Sequence, residues 1–110
     1  MAETETPVLD LLASMTAGSM EASTLDAETL MLVRIAALVA VDAPAASYLA
    51  NIGLATELEV DVDQVRGVLA AVAPIVGTAR IVSAMGKIVR ALEVELELAE
   101  IEEEEEEAEA

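Results

Sequence analysis

The chain has 110 residues with no Cys and no His. That length fits one domain, and the composition excludes disulfides, thiolate nucleophiles, cysteine-based metal sites and the side chain that normally titrates near neutral pH. Five bases against 22 acids give a net charge of −17, and Tyr48 is the one aromatic residue. This balance opposes nucleic-acid binding, base stacking and adsorption to an anionic membrane surface.

Half of the acid is concentrated at one end. Eleven of the 22 acids lie between Glu93 and Ala110; the other eleven against five bases leave the rest of the chain at −6. Hydrophobic residues make up 55% of the chain despite this tail, where a soluble domain holds roughly 45–50% even with Gly counted. A body this small buries only about 60% of its unfolded surface. The surplus apolar surface is therefore expected to face other copies of the chain.

The start "MAETETPVLD" is acidic, where a secretory signal needs a basic start and an apolar run. The apolar segments are interrupted by Arg34, Asp42, Glu57, Arg66 and Arg80, too often for a membrane span. A cytoplasmic protein with neither nucleic acid nor membrane as partner is the expectation.

In chain order, residues 1–6 read as frayed. Pro7 suits a first helical turn, so "PVLDLLASM" predicts a short helix, and "TAGSMEAST" from Thr16 to Thr24 reads as a connection. Asp26 predicts the N-cap of a second helix with Glu28 in its first turn. Leu30 to Val41 is apolar all round apart from Arg34, the pattern of a helix buried on all sides. Arg34 then either snorkels and pairs or binds an anion. Asp42 is expected to cap a third helix from Ala45 to about Leu58, with Pro44 in its first turn. Asp61 and Gln64 have capping-box spacing, and Val62, Val65, Leu69 and Val72 follow as an amphipathic stripe. Pro74 and Gly77 end or kink that fourth helix. Thr78 can cap a last one, in which Ile81, Met85, Ile88 and Leu92 recur at helical spacing. Arg80, Lys87 and Arg90 lie on another face and read as a solvated stripe or as partners for acids of a neighbouring subunit.

"EVELELAEI" alternates acid and apolar with period two, so residues 93–101 stay open between strand and helix. From Glu102 onward, like-charge repulsion predicts a disordered tail, which keeps an oligomer soluble or recruits a basic protein partner. Nothing in it spaces metal ligands as a calcium loop does, so no metal and no cofactor are expected. Three segments result: residues 1–24 with a short helix, a helical domain over 25–95, and an acidic tail over 96–110. The fold class is all-α with four to five helices.

The order of pieces in residues 25–92 resembles the carboxymuconolactone decarboxylase and alkylhydroperoxidase D-like family. The resemblance rests on "LDAET" as a helix opening and on "VDVDQVRGVLAAVAPIVGTARIVSAM", a capped helix ending in Ala-Pro, then a Gly turn and an Ala-rich helix. It implies an all-helical subunit that assembles into trimers or hexamers. The family's peroxidase branch carries Cys-x-x-Cys, a His four residues on and an upstream relay Glu. Those positions fall here on Ala43, Ala46, Ala50 and Met31, so all four catalytic positions are vacant. The decarboxylase branch relies on polar groups including His, which this chain lacks. The polar groups left around the corresponding cleft are Arg34, Ser47, Tyr48 and Asn51, candidates for ligand contacts. Ser47 has no base to activate it. The Tyr48 hydroxyl is expected to bond backbone, and Asn51 to bridge helices. Peroxidase chemistry needs a thiolate and a resolving thiol and is not expected. The reading is a homo-oligomeric scaffold or interaction protein without the redox centre. The alternatives are a lyase or isomerase acting on a small organic acid, or a small-molecule binding module in the same cleft.

Overall fold

A computed structural model describes residues 5–109. Residues 1–4, most of the stretch read as frayed, and Ala110 lie outside the described part. The described residues form five helices and no strand, which makes the protein all-α. No helix among them is long and apolar enough to cross a membrane.

Helix α1 spans Pro7–Ala22 and opens with proline in its first turn. It is twice as long as the expected short helix and takes in most of the segment read as a connection. The reason is tertiary. The Arg34 guanidinium donates from Nη2 to the Thr16 carbonyl oxygen at 3.1 Å and to Ser19 Oγ at 3.0 Å, which ties the second half of α1 to the body.

Helix α2, Ala27–Ala40, starts on Asp26, whose carboxylate accepts from the Thr29 amide at 2.7 Å. That bond holds the Asp26 carboxyl below the usual carboxylate range. Leu30, Met31, Ile35 and Val39 of α2 are buried, and they form the central rod of the core. Helix α3, Ala45–Glu57, contributes Tyr48, Ile52 and Ala55 at helical spacing. Helix α4, Val62–Val76, begins with the expected capping box: Asp61 accepts from the Gln64 amide, and Gln64 accepts from the Asp61 amide. The Gln64 amide also donates to Glu28, joining α4 to the start of α2. Helix α5, Thr78–Glu109, adds Ala84, Ile88 and Ala91.

The main layers are α3 on α5 and α2 on α4, with α2 also against α3 and α5. Small residues at Ala84 and Ala91 let α5 approach closely. Full burial of a side chain such as Ile35 or Ile52 contributes about 1.5–3 kcal/mol each.

Asp42 does not cap α3; the N-cap position belongs to Pro44. Asp42 instead sits in the left-handed region, with φ 50°. Its amide donates to the Val39 carbonyl oxygen at 3.2 Å, and the Ala43 amide donates to that of Leu38 at 3.0 Å. This is a Schellman stop with Asp where Gly is usual. The end of α3 repeats it: Glu59 has φ 63°, its amide donates to the Thr56 oxygen, and the Val60 amide donates to that of Ala55. Between α4 and α5 a single residue, Gly77, turns the chain with φ 87°. Pro74 stays inside α4, two residues before its end.

Residues 93–101 are helical, and so is the run from Glu102 to Glu109 that was expected to be disordered. Glu, Leu and Ala are good helix formers, and the segment extends a helix already nucleated by packing. In helical register its apolar residues split into two stripes, Leu92–Leu96–Ala99 and Val94–Leu98–Ile101, which hides the helix behind an alternating pattern. The extension still meets α3. A Cβ on Gly53 would come within 2.9 Å of the Glu95 carboxylate.

No residue of α1 is buried. Its apolar side chains Val8, Leu9, Leu11, Leu12 and Met15 are all exposed. The radius of gyration is 16.0 Å, where a compact chain of this length has about 13 Å.

Candidate functional site

The polar residues picked out by the sequence separate into two places. Arg34 of α2 and Asn51 of α3 both line an open groove of about 310 Å³ between α1, α2 and α3, bounded also by Met15, Ser19 and Leu38. Arg34 is half-buried and reaches across the groove to α1. Asn51 does not bridge helices as expected. Its Nδ2 donates to the Ser47 carbonyl oxygen at 2.8 Å, inside α3. Ser47 is half-buried and contributes that carbonyl, while its side chain lies outside the groove lining.

Tyr48 belongs to the core and has no exposed surface. Its hydroxyl was expected to bond backbone; among the described residues it has no hydrogen-bond partner. Burial pushes the phenol pKa up, and the nearby Asp42 charge adds to this. The four positions on which the resemblance would place a redox centre also divide. Met31 and Ala43 are buried in the core cluster, whereas Ala46 and Ala50 of α3 are exposed.

A second polar constellation was not anticipated as a unit. The Asp42 carboxylate accepts from Ser83 Oγ at 2.9 Å and from Lys87 Nζ at 3.3 Å. Lys87 also donates to the Ala43 carbonyl oxygen at 2.7 Å, and Arg80 donates to that of Ala40 at 2.7 Å. The Lys87 ammonium stands 5.9 Å from the centre of the Tyr48 ring, at the outer reach of a cation–π contact. The Ser83 hydroxyl first, and Lys87 second, hold the Asp42 carboxyl below its ordinary range. Of the expected solvated stripe, Arg80 and Lys87 thus fasten α5 to the turn after α2, and only Arg90 stays outside, paired with Glu93. The signal was present in the spacing: Arg80, Ser83 and Lys87 stand 3 and 4 apart on an otherwise apolar stretch.

In chemical terms, the Asp42 cluster is a clamp. Its donors are directed to carbonyl oxygens and to one carboxylate, an arrangement that fixes a turn. The Arg34 groove is the place where a cation and an amide face open space together. Among the described residues, no group of three or more acidic, His or Cys side chains is placed to hold a metal. Comparison with family models, with curated proteins and with solved structures finds no match for this chain.

Proposed function

We propose that this chain is the subunit of a homo-oligomeric, non-catalytic helical scaffold, a carboxymuconolactone decarboxylase-like protein that keeps assembly and has lost the redox centre. The observation that carries this reading is surface area. The chain exposes 7728 Å², where a compact monomer of 11.4 kDa exposes about 5,800 Å². The excess of about 2,000 Å² is more than twice the roughly 800 Å² that each partner gives to a standard interface. Val8, Leu9, Leu11, Leu12 and Met15 of α1 and Val82, Met85, Val89 and Leu96 of α5 are among the exposed side chains, so water contact there is costly and burial between subunits is favourable.

Assembly as a trimer or hexamer is part of the proposal. Native mass spectrometry of the full chain counts the copies: three or six are expected, and a single copy overturns the reading. A hydroperoxide assay with a dithiol donor is expected to show no turnover, because the chain has no sulfur nucleophile.

The Arg34 groove favours a second reading, a binding module for a small organic anion, or a lyase or isomerase acting on one. Calorimetric titration with small carboxylates separates the two readings. Heat of binding that disappears in Arg34→Met supports the second, and no heat in either protein supports the scaffold.

A further inference from the structure

Among the described residues, Arg34 is the only half-buried base without an ion pair. Arg66, Lys87 and Arg90 pair with Asp63, Asp42 and Glu93, and Arg80 is exposed and donates to the Ala40 carbonyl oxygen. The Arg34 guanidinium uses Nη2 alone, toward Thr16 and Ser19 of α1. Its Nη1 and Nε have no partner among the described residues. A guanidinium partly out of water and without a counter-charge gains from an anion. No acid lines the groove of about 310 Å³ beside it, in a chain that carries 22 of them. Asn51 adds a second donor, because Nδ2 has two N–H groups and Ser47 takes one. Met15, Ala37 and Leu38 complete the lining with apolar surface, the mixture of a few polar groups and an apolar wall that holds small ligands.

The groove also lies beside a weakly held helix. Helix α1 gives Met15, Thr16 and Ser19 to the lining, yet none of its residues is buried. Among the described residues, the two bonds from Arg34 are its only hydrogen bonds to the other helices, and Met20 is its only side chain packed on the core. A molecule in the groove touches α1, α2 and α3 together, so part of its contact exists only while α1 is docked. Such differential contact shifts the equilibrium of the weakly held element.

We propose that the groove binds a small monocarboxylate with a short alkyl chain, and that the bound molecule closes α1 over it as a lid. One guanidinium balances one negative charge, and the field of a chain at −17 penalises a dianion more. The carboxylate takes the open N–H groups of Arg34 and Asn51, and the alkyl chain lies against Met15 and Leu38. This inference rests on the anion-binding reading above and adds its ligand class and its effect on α1.

Butyrate is the probe, in a buffer of physiological salt, where charges beyond about 8 Å are screened. Calorimetry on the full chain gives its Kd, and acetate is expected to bind more weakly, by roughly two- to fourfold for each methylene removed. Amide exchange of α1 is then followed with and without butyrate. At ten times the Kd, a ligand that requires docked α1 slows this exchange about tenfold. Binding that merely stabilised the core would leave α1, which opens locally, unchanged. Arg34→Met is expected to lose both the heat and the slowing, each judged against its own ligand-free rate, with folding checked by circular dichroism. Asn51→Ala keeps the Arg34 bonds to α1 and is expected to weaken butyrate about two- to tenfold. Heat without slowing in α1 overturns the lid and leaves the anion-binding reading standing. Unchanged affinity in both variants places butyrate elsewhere and overturns the site. No heat in the wild-type chain overturns both.

Discussion

Lys87 of α5 donates to the carboxylate of Asp42 at 3.3 Å across 45 residues of sequence, and this pair fastens the last helix to the turn that ends α2. The contact is half-exposed, with Lys87 the more covered partner, so screening limits the energy of the pair. Its larger role is positional, since Asp42 occupies a left-handed backbone site that few residues adopt.

A pH dependence follows from it. The Asp42 carboxyl is held below its ordinary value of 3.8 in the folded chain. Its contribution to stability is complete above that value and is lost as the pH falls through the lowered folded value. The gap in thermal midpoint between wild type and Asp42→Asn is expected to be constant from pH 7 to about pH 5 and to close on further acidification. A gap that widens in acid would contradict the assignment.

Glu59 tests the helix stops. It holds a left-handed conformation without the side-chain contacts that Asp42 makes, so Glu59→Gly is expected to stabilise the chain by about 0.5–1 kcal/mol. Asp42→Gly gains the same backbone relief and loses Ser83 and Lys87, so its gain is smaller or reversed. Gly77→Ala, with nothing near its Cβ but φ at 87° and ψ at 164°, is expected to cost about 1–3 kcal/mol from backbone conformation alone. Urea titrations of the three variants rank them.

These stops also mark where the sequence could and could not be read. Asp26 with Thr29, and Asp61 with Gln64, are partners three residues apart, so local spacing was sufficient. Local spacing makes Asp42 look like the cap of α3, because Ser83 and Lys87, the groups that use its carboxylate, stand 41 and 45 residues away. The length of α1 was missed for the same reason, since Arg34 anchors it from another helix. Residues 93–101 alternate like a strand, but they continue a packed helix and place Glu95 against Gly53. Among the candidate site residues, types and positions were legible. The groove that unites Arg34 with Asn51 and separates both from Tyr48 depends on how three helices pack.

Tyr48 yields a contrast between two substitutions. Its hydroxyl has no partner among the described residues while its ring fills the core. Tyr48→Phe removes a desolvated polar group and is expected to be neutral or to stabilise by about 1 kcal/mol. Tyr48→Ala leaves a cavity and is expected to cost about 3–5 kcal/mol. Thermal and chemical denaturation check both; a large loss in Tyr48→Phe would mean that the hydroxyl is bonded.

Arg34 holds α1 through two hydrogen bonds, each contributing about 0.5–1.5 kcal/mol. Arg34→Ala is expected to speed amide exchange in α1 at least tenfold while α2 to α4 keep their protection. Uniform loss of protection over all helices would show instead that Arg34 supports the core.

A chain that leaves Leu9, Leu12 and Met15 of α1 and Val82, Val89 and Leu96 of α5 exposed is, on the reading proposed above, the subunit of an assembly. Light scattering of the wild-type protein, diluted in steps to sub-micromolar concentration, measures it directly. The expected mass stays at a fixed multiple of 11.4 kDa until helicity itself is lost, because unfolding and dissociation occur together in obligate assemblies. A fully helical species of 11.4 kDa at those concentrations would contradict it.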